Sequence, residues 1–112
     1  MSSLIERIRK ARQTRVEHGG KVFIVRRPTD WEAYQMRSGS KEMDLLEKFV
    51  EGWEGFAELD LVPGGSGVAV DFDKELFAEW VQDHPDYWAP IIAAITSEYQ
   101  AHALKQAEAE KK

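Results

Sequence analysis

The sharpest apolar spacing lies mid-chain, where Met43, Leu46, Phe49, Val50 and Trp53 recur every three or four residues. That period puts side chains on one face of an α-helix, and Ser40 can cap it, so a helix is predicted from Ser40 to about residue 52. Leu76, Phe77, Trp80 and Val81 repeat the pattern behind Asp73, a good N-cap, and predict a helix over Lys74 to Asp83 that His84-Pro85 ends. Trp88, Ile91, Ile92, Ile95 and Tyr99 predict the last helix, capped by Asp86, with Pro90 in a first turn where no intrahelical bond is lost. Thr29-Asp30-Trp31-Glu32 has the residues of a reciprocal capping box, which predicts a helix over residues 30 to 37 stopped at Ser38-Gly39.

Alternation is scarcer. Lys21 to Arg26, KVFIVR, predicts a strand. Phe56 to Val62 and Gly67 to Phe72 flank Pro63-Gly64-Gly65-Ser66 and predict a short hairpin. Residues 3 to 17 predict a helix with a narrow apolar side of Leu4, Ile5 and Ile8, ended by His18-Gly19-Gly20. After Leu104 no apolar side chain larger than alanine remains, so a protruding, fraying helix end is expected. The expected fold class is therefore mainly α, a small domain of four to five helices with a minor strand or hairpin. Three regions are expected: a basic N-terminal helix over 1–20 that docks lightly or orders on a partner, a helical core domain over 21–105, and a charged C-terminal tail over 106–112.

With 112 residues, 43% apolar and 31% charged, the chain has the make-up of one modest globular core. A chain of this size buries only about two-thirds of its unfolded surface, which favours reliance on partners or on self-association. Cysteine is absent, which excludes disulfides, thiolate catalysis and cysteine-ligated zinc. The N-terminus lacks the apolar region of a signal peptide and no run approaches a membrane span, so a cytoplasmic, non-membrane protein is expected. Charge is segregated: residues 1 to 28 hold eight Lys or Arg against Glu6 and Glu17, a local +6, which leaves −11 on the rest of a chain whose net charge is −5.

Chemistry-bearing residues are dispersed. His18, His84 and His102 fall at a loop, a helix end and a solvent face, and read as surface or capping histidines. Pro63-Gly64-Gly65-Ser66-Gly67 lacks the Lys-Ser/Thr and the following helix of a phosphate loop. Asp71, Asp73 and Glu75 lack the glycine and the distal glutamate of a calcium loop, and a helix cap with a favourable dipole explains them better. No catalytic residues, metal ligands or cofactor are expected, so the chain reads as a binding protein and not an enzyme. Most aromatics fall on core faces; Trp31, Tyr87 and Trp88 are the candidates to reach a partner, with Arg12 and Arg15 on the basic segment. That segment, with Arg7, Arg9, Arg26 and Arg27, also opens a rival reading as a small nucleic-acid-associated regulator, disfavoured by the acidity of the remainder.

One block, Phe49-Val50-Glu51-Gly52-Trp53-Glu54-Gly55, carries a Val-x-Gly-Trp-x-Gly core. It follows a strand ending in Arg26-Arg27-Pro28-Thr29, and precedes Val70-Asp71-Phe72-Asp73-Lys74-Glu75-Leu76, which opens a helix that ends at a proline. A final helix with Ile91, Ile92, Ile95 and Tyr99 completes the order. Over residues 21 to 105 this order resembles the tail assembly chaperones of long-tailed bacteriophages and prophages. The basic residues 1 to 17 and the long hairpin loop depart from it. The resemblance implies a helical, non-catalytic protein that binds the tape measure protein and also tail tube subunits during tail morphogenesis, and is absent from the finished virion. It implies that Gly52, Trp53 and Gly55, with Asp73 at the helix start, hold the fold. It also implies a longer product made by programmed frameshifting, with which the codons of Lys111-Lys112 are compatible.

Overall fold

The computed structural model describes residues 3–110, so Lys111 and Lys112, where the frameshift expectation falls, lie outside the described residues. In chain order the elements are α1 (Leu4–Lys10), β1 (Gln13–His18), β2 (Lys21–Arg26), α2 (Asp30–Gln35), α3 (Glu42–Phe49), β3 (Val50–Glu54), α4 (Glu58–Leu61), α5 (Lys74–Gln82), a 3-10 turn (Pro85–Tyr87) and α6 (Trp88–Glu110). Antiparallel β1-β2-β3 form one sheet, and the helices α3, α5 and α6, with Phe56 and Tyr87 from the connecting segments, supply the rest of the core. The mainly α expectation is thus corrected: the fold is mixed α/β, and its sheet is the scaffold on which the core is built.

The correction begins at the N-terminus. Only Leu4–Lys10 is helical, and Gln13–His18 pairs with β2 from Gln13↔Arg26 through His18↔Lys21. Gly19 and Gly20 are the two central residues of that hairpin, with φ of 58° and 78°, the paired positive values a type I′ turn demands. They turn a strand rather than end a helix, and the boundary expected at residue 20 falls inside the hairpin. Gly19 has a second constraint, since a Cβ there would sit 2.2 Å from the Tyr87 hydroxyl oxygen.

Where a helix was expected to run to residue 52, α3 stops at Phe49 and the chain becomes β3. Val50 and Trp53 are both buried, although residues three apart on a regular strand face opposite ways. A register shift reconciles them: Ile24 pairs with Gly52 but Val25 with Val50, so Glu51 is an extra, bulged residue that resets the alternation. Both apolar side chains then point into the core while Glu51 turns outward. Lys41 rather than Ser40 precedes α3 as its N-cap, and makes no side-chain capping bond.

The core is a run of interlocked rings beneath the sheet. Phe23 lies within 6.0 Å, centroid to centroid, of Phe56, Phe77, Trp80 and Tyr87, mostly edge to face, the arrangement ring quadrupoles favour. Leu46, Phe49, Val81, Ile91 and Ile95 close it from the helices. The expected 56–72 hairpin is only one bridge, Ala57↔Ala69, around the single turn of α4. Asp73 caps α5 as expected, accepting from the backbone N–H of Glu75 and Leu76. Asp86 instead sits in the 3-10 turn that leads into α6. The last helix continues past Leu104 as expected but is regular through Glu110 rather than frayed, and Gln106 Nε2 donates to Asp30 at 2.9 Å.

Candidate partner-binding surface

None of the residues of helix α2 is buried. Polar bonds hold it instead. The Thr29 hydroxyl accepts from the Glu32 backbone N–H at 3.1 Å while the Glu32 carboxylate accepts from the Thr29 N–H at 2.9 Å, the reciprocal box read in the sequence. The same carboxylate receives a two-pronged bond from the Arg26 guanidinium at 2.7 and 2.9 Å. Arg26 in turn reaches Glu51 at 3.3 Å and lies over the Phe49 ring at 4.7 Å, so one side chain joins α2, the bulge and α3. The hydrogen bond from Arg26, with the Thr29 N–H and the charge of Lys48, pushes the Glu32 carboxyl down to about 2 despite the opposing cost of desolvation.

At its N-terminus, Asp30 accepts from the Tyr99 hydroxyl at 3.0 Å and from Gln106, and His102 Nε2 lies 3.3 Å away. Hydrogen bonds from Gln106 and Tyr99 hold Asp30 below its ordinary carboxyl value, and Asp30 holds the Tyr99 hydroxyl above its own. These contacts tie α2 to the far half of α6.

Fixed this way, α2 presents two surfaces. Outward, Trp31 stacks on Tyr34 at 5.7 Å between centroids, with Trp31 66% exposed and Arg37 lying over the Tyr34 ring. Toward α3 and α6, Pro28, Ala33, Met36, Leu45, Ile95 and Tyr99 line an open, mostly apolar groove of about 300 Å³. Beside α2, α1 turns Leu4, Ile5 and Ile8 to solvent, 68%, 59% and 47% exposed, and buries no residue at all. Between the two helices Arg9, Arg12 and Trp31 rim a polar cleft of about 440 Å³ floored by Arg26, Glu32 and Glu51. Exposed apolar side chains of this size are unremarkable singly and informative when they gather.

The structure sorts the candidate residues. Trp31 is exposed as expected. Tyr87 is not a surface anchor: it is 8% exposed, packed on Phe23 and Trp80, with its hydroxyl under the hairpin turn. Trp88 is half-buried and its indole N–H donates to the Val81 carbonyl at 2.7 Å. Arg12 rims the cleft, whereas Arg15 points from β1 across the sheet and is bound through both nitrogens by Glu54. Leu76 was expected in the core of α5 but is 40% exposed. Tyr34, Leu4, Ile5 and Ile8 complete the surface. The i, i+3 spacing of Trp31 and Tyr34, opposite Ala33 and Met36, was a legible sign that one face of α2 had to be aromatic and outward.

The block that carries the family resemblance has a structural account. A Cβ at Gly52 would meet Ile24 at 3.2 Å, so glycine lets the two strands close. Trp53 is buried against Phe56, its indole N–H donating to the Val70 carbonyl at 2.9 Å. Gly55, at φ 86°, turns the chain out of β3, and its carbonyl accepts from Lys21 Nζ.

The histidines stay apart: His18 meets Tyr87 edge-on, His84 stacks on Trp80 with Nδ1 2.6 Å from the Trp80 carbonyl, and His102 faces Asp30. Among the described residues no group of three His, Asp or Glu is placed to hold a metal ion, and no helix is long and apolar enough to cross a membrane. Fold and surface together describe a single-sheet α/β protein with gathered exposed apolar side chains at one helical edge. No family model matches the chain, and no curated protein or solved structure is significantly similar to it.

Proposed function

We propose that the chain is a non-catalytic assembly chaperone of the phage-tail type, acting in the host cytoplasm by stoichiometric binding to a long helical client of the tape-measure kind. One observation carries this reading: α2 turns Trp31 and Tyr34 to solvent on one side and lines an apolar groove with Ala33 and Met36 on the other, while α1 leaves Leu4, Ile5 and Ile8 uncovered. A surface of this kind suits helix-in-groove recognition, in which spaced apolar anchors of an amphipathic helix are covered and later released. The helical character implied by the resemblance is corrected by the sheet; the order of sequence blocks still supports the client.

The rival nucleic-acid reading loses support from the geometry. Of its six arginines, Arg15 is bound to Glu54, Arg26 to Glu32 and Glu51, and Arg27 to the Pro28 carbonyl. Co-expression of the chain with the tape-measure protein of its own genome, followed by affinity capture at low and high salt, tests the proposal. Capture that survives high salt is the expected result, because apolar contacts are not screened. Absence of the client together with salt-sensitive retention of DNA would overturn it.

A further inference from the structure

Helix α1 is seven residues long, too short to be stable by itself, and it buries nothing within this chain. Its Ser3 cap accepts from the Glu6 N–H and its last turn carries Arg7, Arg9 and Lys10, so it is well terminated at both ends yet has no core to pack on. Among the described residues no carboxylate lies within ion-pair distance of Arg7, Arg9, Lys10 or Arg12. Glu32 and Glu51, the acids in the adjoining cleft, are both engaged by Arg26. The edge therefore combines three things: aliphatic side chains on α1, an aromatic platform at Trp31 and Tyr34, and uncompensated positive charge between and around them, to which Arg37 adds.

We propose that this edge is the docking surface for an acidic amphipathic helix, and that α1 supplies its basic wall. The proposal rests on the helical-client reading and specifies the chemistry of the segment held. A helix whose apolar stripe covers Ile5, Ile8 and Trp31 brings its flanking positions against Arg9 and Arg12, and carboxylates there complete the pairing this chain leaves open. A nucleic-acid strand fits less well. It would use the arginines and the indole, but it leaves Leu4, Ile5 and Ile8 uncovered and brings phosphates over Glu32 and Glu51.

The test uses the full chain and two labelled synthetic helical peptides with the same leucine stripe, one flanked by glutamates and the other by lysines. Fluorescence anisotropy should show the acidic peptide binding at least ~10-fold tighter at low salt, with the gap narrowing as salt is raised. Ile8→Asp, and separately the pair Arg9→Glu with Arg12→Glu, should each weaken the acidic peptide ~10-fold while leaving the thermal midpoint in place, since none of these three side chains belongs to the core. Equal affinity for the two peptides, or binding indifferent to both variants, overturns the proposal. So does a dimer in sedimentation that Ile8→Asp disperses, which would give the surface to a second copy, or displacement of the acidic peptide by a single-stranded oligonucleotide. The two readings fail separately. If the charge-reversed variant still captures the tape-measure chain, the client stands and this surface falls; if the acidic peptide binds and no client is captured, the surface stands and the client falls.

Discussion

Trp53 and Trp31 sit in regions of the molecule stabilised by different physics. Trp53 is sealed between Phe56, Phe72 and the sheet, with its one polar atom satisfied by Val70. Trp31 lies open on a helix that buries nothing and is retained by bonds from Arg26, Tyr99 and Gln106 to Glu32 and Asp30. The core gains from area removed from water and from ring geometry, both insensitive to salt and pH. The edge relies on charge and directed hydrogen bonds, which pH and salt reach directly. Outward side chains on the edge are therefore expected to be replaceable with the core intact, which fits the hold-and-release role proposed above.

The largest test of that contrast is Trp53→Ala. Removing a buried indole from a close-packed ring cluster should cost about 3–5 kcal/mol of unfolding free energy, a large share of what a chain of this size has. Urea denaturation followed by circular dichroism reads it. A loss below about 1 kcal/mol would mean that the ring cluster is not the cooperative core.

Next comes the Arg26 junction. Arg26→Ala leaves Glu32 and Glu51 facing each other's field without the guanidinium, and a loss of about 2–3 kcal/mol is expected, with Arg26→Lys recovering little because an ammonium cannot make the two-pronged bond. The pH dependence has a definite sign. The Glu32 carboxyl sits at about 2 when folded against an ordinary 4.5, so its contribution is fully present above 4.5 and disappears as pH falls toward 2. Hydrogen exchange should therefore show α2 amides losing protection in that window before the amides of β2 do, and loss in both together would erase the distinction between edge and core.

The glycines of the β1–β2 turn give a smaller, paired effect. Both have positive φ, but a side chain at Gly19 collides with Tyr87 whereas nothing lies within 4 Å of a Cβ at Gly20. Gly19→Ala should cost about 2 kcal/mol and Gly20→Ala about 1 kcal/mol, the difference measuring how firmly the hairpin rests on the core. Equal costs in thermal denaturation would show that Tyr87 yields freely.

These cases also mark what the sequence could tell. The Thr29–Glu32 box, the Asp73 cap and the core faces of Phe49, Trp80 and Ile91 follow from local spacing and cap chemistry, and they hold. The sheet was missed for two physical reasons. Gln13–His18 offers Val16 as its only large aliphatic side chain, and its neighbours are good helix formers, so pairing with β2 overrides its propensity. At Val50–Trp53 the bulged Glu51 breaks the two-residue alternation, leaving a three-residue spacing that mimics a helix. Tyr87 was misplaced because only the tertiary fold puts the β1–β2 turn over its hydroxyl. The bonds of Asp30 to Tyr99, His102 and Gln106 join residues some seventy positions apart, which no local pattern reveals.

The smallest effect on stability should carry the largest effect on binding. Trp31→Ala removes an indole that is two-thirds exposed and packs chiefly on Tyr34, so unfolding free energy should change by less than about 0.5 kcal/mol. If the edge is the client surface, the same substitution removes its largest anchor, and truncating such an anchor typically costs ~2 kcal/mol or more of binding, roughly a thirtyfold weaker complex. Capture of the tape-measure chain by wild type and variant, run beside matched melting curves, separates the two quantities. A variant that melts as wild type and captures as wild type would leave Trp31 as an ordinary exposed side chain, and the contrast with Trp53 would then be one of burial alone.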